Sequence, residues 1–385
     1  MTDLRFFPYI SSLPTSFDNM PIHFTNQQKI PLTGSLSLER VNAVQKDLKR
    51  EYSTLVKQVT DFDYSFEWFV WARLCVLTRV FGIEKNGRSM DALVPVADML
   101  NHSNTPTVSW YYDDASKGFV MTAEKEIKKG SQVFDSYGIK SQGRFFVNYG
   151  FTIENLFRFN EAVISVTLET TDPQYKQKLP LLGRGGGGRH VTAKFTVSPG
   201  YRSRGVSRML SYCRFVTATE EELKKTPSKF FRPQEVVGLN IRSEIRALKR
   251  LEKHALEALG RFPDPLHEDH KRLKINIFRT ANERNCVVMR ASEKEVLHWF
   301  IGFSRAMCDM YGRIIHVVAE AIAPPPAAAT ISENTKNTKD VTITLKETLG
   351  DEKYMESYSS YINDVAEELL IEEGRVVRGS IHNNE

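Results

Sequence analysis

Pro95-Val96-Ala97-Asp98-Met99-Leu100-Asn101-His102-Ser103, followed by Phe134-Asp135-Ser136-Tyr137-Gly138 and then Phe146-Val147-Asn148-Tyr149-Gly150-Phe151, are the stretches on which the fold turns. An Asn-His pair after an apolar run reads, by itself, as a turn whose polar groups satisfy nearby backbone groups. The second cluster alone reads the same way. Together they sit about 35 residues apart among short strand-like runs: Leu93 to Val96, Thr107 to Tyr112, Phe119 to Thr122 and Gln132 to Asp135. Asp113-Asp114 with Gly118 marks a hairpin between the second and third runs, and Lys129-Gly130 marks another turn. Strands this short build a β-rich domain, not an open α/β sheet.

Working outward, two helical patterns precede the strands. From Ser37 to Asp61, Leu38, Val41, Val44, Leu48, Tyr52, Leu55 and Val59 recur every three or four residues. Tyr64 to Phe81 follows the Asp61-Phe62-Asp63 start, with Gly82 placed to end it. Downstream, Ala162 to Leu168 is strand-like. Gly183-Arg184-Gly185-Gly186-Gly187-Gly188-Arg189 has no Lys-Ser or Lys-Thr after it and no helix start, so it reads as a surface loop, not a phosphate cradle. Val237 to Phe262 places Ile241, Ile245, Leu248, Leu251, Ala255 and Leu259 on one helix face; His267 to Phe278 and Asn282 to Ile322 extend a mostly α second half. Pro324-Pro325-Pro326 and the polar Thr330 to Asp340 form a linker. The acidic Val341 to Glu385 holds one amphipathic helix, Tyr354 to Leu370, free to dock on the body or to stay mobile.

With 385 residues, 41% of them hydrophobic, the chain can bury a large core over two domains. Its longest apolar runs, such as Trp68 to Val80, are broken by Arg73 and Arg79 and fall short of the ~20 residues of a membrane span. No secretory pattern opens the sequence. Cys75, Cys213, Cys286 and Cys308 stand far apart in apolar surroundings, as reduced core thiols do. From Ala323 onward six Lys/Arg face twelve Asp/Glu, a net of −6 that leaves +11 for the preceding body. The body's charges are interleaved with acids, so a solvated surface is expected and nucleic acid is not.

The two motif clusters together resemble the two signatures of the SET fold, in which one segment passes beneath a loop made by the other. Asn282-Glu283-Arg284-Asn285-Cys286-Val287-Val288 and Glu293-Lys294-Glu295-Val296-Leu297 resemble the helical substrate-binding domain of the Rubisco large-subunit lysine methyltransferases. The resemblance reaches Ile322 and implies an α+β, two-domain architecture. Residues 1–160 would be a SET domain with a helical insert at about 37–81, 161–322 an all-α substrate-binding domain, and 323–385 a linker and acidic tail.

The resemblance further implies methyl transfer from S-adenosylmethionine to a protein side chain, with no metal. Asn101 and His102 would meet the cofactor through the backbone of their turn, beside Asp98 and Tyr149. Arg79 matches an arginine that pairs with the cofactor carboxylate. Tyr137 matches the catalytic tyrosine at the mouth of the methyl-transfer channel, whose walls would be Phe81, Tyr137 and Tyr149; the plainer account of Tyr137 is a core tyrosine with a bonded hydroxyl. In this branch the Phe81 position is aromatic in lysine-modifying members and amide-bearing in the actin-histidine member, which favours lysine. Methyl transfer is an in-line displacement, so alignment and exclusion of water supply most of the help.

Relatives begin the SET domain with a Gly-x-Gly segment and strands that cradle the adenine, and nothing in Met1 to Leu36 resembles it. The expectation is a SET domain without its N-terminal strands that binds S-adenosylmethionine weakly or not at all when expressed alone. Two alternatives stand beside protein-lysine methylation: a catalytically impaired SET-like module that holds a protein partner through its helical domain, and histidine methylation of actin. The expected partner is a protein substrate, non-histone before histone, met by a monomer away from membranes. The expected compartment is cytoplasm or nucleus, with a plastid address left open by a longer amino terminus.

Overall fold

The computed structural model describes residues 4–59, 61, 63–153, 156–182, 191–200, 203–225, 236–322, 358–366 and 369. Its contacts divide the chain into two units, Met1–Phe159 with His267–Ala291, and Asn160–Leu266 with Ser292–Glu385. The first unit thus takes in a stretch, His267–Ala291, that the sequence reading groups with the helical domain.

In the first unit, helix α1 (Leu36–Gln58) starts where the Ser35 hydroxyl accepts from the backbone N–H of Ser37. It buries Val41 and Leu48. Helix α2 (Phe66–Arg79) starts at Ser65, whose side chain accepts from Trp68 N–H, and buries Val70, Leu74 and Cys75. These faces close a core with Phe17, Met20 and Ile22. A second cluster joins Val41 to Phe24, Leu32, Phe146, Val147, Cys286 and Met289.

The end of α2 departs from the sequence reading. Gly82 does not cap a helix; the chain passes at Val80 straight into strand β1 (Val80–Lys85), which pairs antiparallel with β2 (Arg88–Leu93). Asn86 (φ 52) and Gly87 (φ 69) make the tight turn between them. Two positive φ values in a two-residue loop match the twist of a hairpin, and Asn-Gly adopts them at least cost. The expected strand at Leu93 to Val96 therefore reduces to the last residue of β2.

Past the two-residue strand β3 (Asn101–His102) comes a second hairpin, β4 (Val108–Asp113) with β5 (Gly118–Ala123), where expected. Strand β6 (Phe134–Asp135) pairs in parallel with β3, Asn101 opposite Phe134 and His102 opposite Asp135. Helix α3 (Gln142–Tyr149) ends on Gly150, which is left-handed at φ 75. A side chain there would also drive a Cβ to 2.4 Å from Asn19 Nδ2.

The second unit opens with β7 (Ala162–Thr167), paired antiparallel with β8 (Thr192–Val197), a small sheet within the helical domain. Helix α4 (Arg204–Thr217) is capped by Ser203 and buries Val206, Met209, Leu210, Cys213, Phe215 and Val216. Helix α5 (Ile241–Leu259) begins with a reciprocal Asn240/Ser243 cap. Helix α6 (Leu266–Ile275) follows, and α7 (Ala281–Ile322) begins in the first unit and ends in the second. Of the amphipathic helix expected at Tyr354 to Leu370, the described part buries Tyr358, Tyr361, Val365, Ala366 and Leu369 in the second unit. The glycine-rich loop at 183–189 and the linker at 324–340 lie outside the described residues. Cys75, Cys213 and Cys286 are buried free thiols, and Cys308 is half-buried. No helix of the described residues is long and apolar enough to cross a membrane.

Candidate active site

The β3/β6 pairing joins the two motif clusters. Beyond the ladder, Ser103 N–H donates to the Asp135 carbonyl at 2.9 Å and Thr107 N–H to the Phe134 carbonyl at 2.9 Å. His102 Nδ1 accepts from the Tyr137 backbone N–H at 3.0 Å. Since Nδ1 accepts, Nε2 carries the ring proton and donates to Asn104 Oδ1 at 3.1 Å. Burial lowers the His102 pKa, which keeps this neutral tautomer. His102 therefore positions Tyr137 through its ring.

Beside this junction a cleft of about 320 Å³ is lined by Thr78, Arg79, Val80, Phe81, Gly82, Asp98, Leu100, Trp110, Asp135, Ser136, Tyr137, Gly138, Lys140 and Tyr149. Arg79, Phe81, Asp98, Tyr137 and Tyr149, expected at the site from sequence, meet there. Asn101 and His102 do not line it; they sit in the adjoining strand, with the Asn101 side exposed.

Tyr137 donates its hydroxyl proton to the Leu100 carbonyl at 2.7 Å, and its ring lies 5.0 Å from that of Tyr149 at 32°. Burial raises both phenol pKa values, so both are neutral near pH 7. Phe81 is buried edge-on to Trp110 and Phe119, each 5.1 Å away. That wall presents ring edges, and its one hydrogen-bonding group, the Trp110 indole N–H, is engaged with Asp135.

At the polar end, Arg79 Nη1 donates to the Asp98 carbonyl at 3.1 Å and stands 3.5 Å from Asp98 Oδ2. The same oxygen accepts from the Tyr9 hydroxyl at 2.5 Å. Arg79 Nε and Asp98 Oδ1 are buried with no hydrogen-bond partner among the described residues. Buried polar atoms are nearly always satisfied, so this pair marks capacity for a further polar group. Tyr9, Trp110 and Lys140 are site residues that the sequence reading missed. Only Lys140 carried a signal, its place three residues after Tyr137.

The sequence matches the family model of the SET domain over residues 21–138 and that of the Rubisco LSMT substrate-binding domain over 169–297. Among curated proteins it is similar to the actin-histidine N-methyltransferase of Canis lupus familiaris, 25% identical over 326 residues that cover 79% of this chain and 54% of that protein. The Homo sapiens protein of the same name is 24% identical over 312 residues, 75% and 51% of the respective chains. The chain thus spans about half the length of the curated relatives it matches. Among solved structures it is similar to the SET domain of LSMT bound to lysine and AdoHcy, with TM-score 0.64 and 19% identity, and to Rubisco LSMT bound to sinefungin and monomethyllysine, with TM-score 0.64 and 20% identity. Each covers 89% of this chain and 79% of the other. At that identity the structural likeness speaks to the fold, an α+β SET domain followed by a helical domain. With both domain models matched in this order, the chain carries a SET domain followed by a Rubisco LSMT substrate-binding domain.

Proposed function

We propose that this protein is an S-adenosylmethionine-dependent protein methyltransferase whose acceptor is a lysine side chain. The observation that supports it most directly is the single cleft where Arg79, Asp98, Phe81, Tyr137 and Tyr149 converge. The names of similar proteins support the methyl-transfer part of this reading, since they are methyltransferases or are bound to AdoHcy, AdoMet or sinefungin.

The residues suit that cofactor. Arg79 brings a forked donor to the cleft wall, and its unsatisfied Nε and the unsatisfied Asp98 Oδ1 would be completed by the charged amino-acid end of such a molecule. In this reading Arg79 pairs with the carboxylate, while Asp98 and the backbone at Asn101 and His102 hold the amino end. S-adenosylmethionine, when bound, supplies an electrophilic methyl group on a sulfonium.

The Tyr137 hydroxyl spends its proton on Leu100, so its oxygen is left to accept an N–H from the incoming amine and orient it. Its raised pKa argues against a phenolate base, so the acceptor loses its proton to water. Phe81, Trp110 and Tyr149 make an apolar surround in which a charged ammonium is costly, and this draws the acceptor toward its neutral form.

Phe81 supports lysine over histidine. An aliphatic amine needs only a sleeve, whereas an imidazole needs its second ring nitrogen held in one protonation state by a polar neighbour. A second reading, a histidine acceptor, is favoured by the similarity to actin-histidine N-methyltransferases.

The test is transfer of radiolabel from S-adenosylmethionine into proteins of a cell extract by the full-length protein and by its Tyr137→Phe variant. A discrete labelled band that hydrolyses to methyllysine, and that the variant fails to label, is the expected result. Methylhistidine instead moves the acceptor to the second reading. If folded wild-type protein labels nothing at saturating donor, the enzymatic reading fails and a protein-holding role for the helical domain takes its place.

A further inference from the structure

The cleft that holds Tyr137 and Tyr149 also holds an amine of this chain. Lys140 is the one lysine among its lining residues. Its Nζ contacts the Tyr137 carbonyl and stands 5.8 Å from the centre of the Tyr149 ring. Gly138, left-handed at φ +85, turns the chain so that the lysine stem folds back across it; a Cβ at position 138 would lie 3.3 Å from Lys140 Nζ.

We infer that Lys140 is a methylation site of the protein itself, its amine lying beside Tyr149 in the same cleft as Tyr137 and taking the methyl group in cis. The inference rests on the methyltransferase reading and goes beyond it by naming an acceptor within the chain.

The environment favours the nucleophilic form of this amine. Lys140 is half-buried, and burial, with the nearby Arg144 guanidinium on α3 adding to it, lowers its pKa. The other titratable groups around it are Tyr149 from α3, Tyr137, and the neutral ring of His102 from β3. Of the two carboxylates lining the cleft, Asp98 is engaged by Arg79 and Tyr9, and Asp135 Oδ1 accepts from Ser136 N–H at 2.6 Å. No carboxylate pairs with Lys140 among the described residues to hold it charged.

In the transfer the lone pair of neutral Nζ forms the N–C bond as the S–C bond breaks, and that bond's electron pair stays on sulfur, which passes from sulfonium to thioether. The methylammonium product gives up one proton to water before any second transfer. Because donor and acceptor share one complex, the step is first-order in protein.

Two measurements on the full-length protein decide the matter. Without donor, the pH profile of labelling by an amine-selective reagent, read peptide by peptide, is expected to show a midpoint for Lys140 below the ordinary lysine value of about 10.4. With S-adenosylmethionine, peptide mass spectrometry is expected to find a methyl group on Lys140, formed at a rate unchanged by dilution and missing in Tyr137→Phe. If extract proteins become methylated while Lys140 stays unmodified, this inference falls and the methyltransferase reading stands. If nothing is methylated, both fall. A Lys140 methyl group whose formation slows in proportion to dilution overturns the cis assignment.

Discussion

The hydroxyl of Tyr361 offers a sharp test of how the tail segment holds to the helical unit. Tyr361 is fully buried; it donates to Glu244 Oε1 at 2.8 Å and lies 3.2 Å from the Tyr311 hydroxyl, while its ring meets Phe303 edge-on at 5.0 Å. Glu244, also buried, is gripped by Arg214 through Nε at 2.8 Å and Nη2 at 2.7 Å. Tyr361→Phe keeps the ring and removes only the hydroxyl. A hydrogen bond to a charged acceptor contributes about 1.5–3 kcal/mol, and Glu244 keeps Arg214, so a loss of about 2 kcal/mol is expected. In a unit of this size that lowers Tm by roughly 4–8 °C. Arg214→Met instead leaves a buried carboxylate without its counter-charge and should cost about 3–5 kcal/mol. Urea unfolding followed by fluorescence reads both, because Trp299 lies 5.3 Å from the Tyr358 ring in the same unit. If Tyr361→Phe unfolds within about 0.5 kcal/mol of wild type while Arg214→Met pays its full amount, the tail does not dock there in solution and the reasoning fails.

Arg79→Lys keeps the charge but not the fork, so donor binding should weaken about tenfold, read by calorimetry with S-adenosylmethionine or its thioether product. Phe81→Asn puts an amide in the aromatic wall and should raise the ratio of histidine to lysine acceptance, measured on paired peptides that differ only in the acceptor. Gly205→Ala would place a Cβ 2.2 Å from the Thr196 carbonyl oxygen where α4 meets β8, at a cost of about 1–3 kcal/mol in urea titrations. Acidification should destabilise the fold through His254, which is 2% exposed and whose pKa burial lowers. The unfolded chain takes up that proton first, so stability is complete above the unfolded value of about 6.5 and declines as pH falls through it; Tm compared at about pH 7.5 and about pH 5.5 tests the sign.

Where periodicity ran unbroken, the elements were legible. The expected Ser37 to Asp61 is α1 (Leu36–Gln58), and the expected Val237 to Phe262 contains α5 (Ile241–Leu259). The miss at Phe81 has a definite cause. Apolar residues from Phe66 onward continue into Val80, Phe81 and Ile83, so hydrophobicity alone gives no boundary. The boundary is set by Asn86-Gly87, whose turn pairs Val80 with Leu93 and pulls the chain out of the helix. Helix α4 escaped for the opposite reason: it follows the glycine-rich stretch, although Ser203 as a cap and Val206, Met209, Leu210 and Cys213 on one face were a readable signal.

The site divides along the same line. Tyr137 and His102 were legible because the two motifs that carry them are local, and the β3/β6 ladder only has to bring those motifs together. Arg79 was legible only through the resemblance to the family, because the helix that it ends was expected to run on to Phe81. Tyr9 was not: it is 89 positions from Asp98, with no periodicity or motif linking the two, and only the folded backbone sets its hydroxyl against that carboxylate. Residues that do chemistry are fixed in type by what the reaction demands, so a motif records them. Residues that hold those in place need only a hydrogen bond of the right reach, which many side chains at many positions supply. The contact of Tyr9 with Asp98 therefore belongs to the fold, and removing the Tyr9 hydroxyl should loosen the carboxylate of Asp98, a residue of the first motif, and through it Arg79.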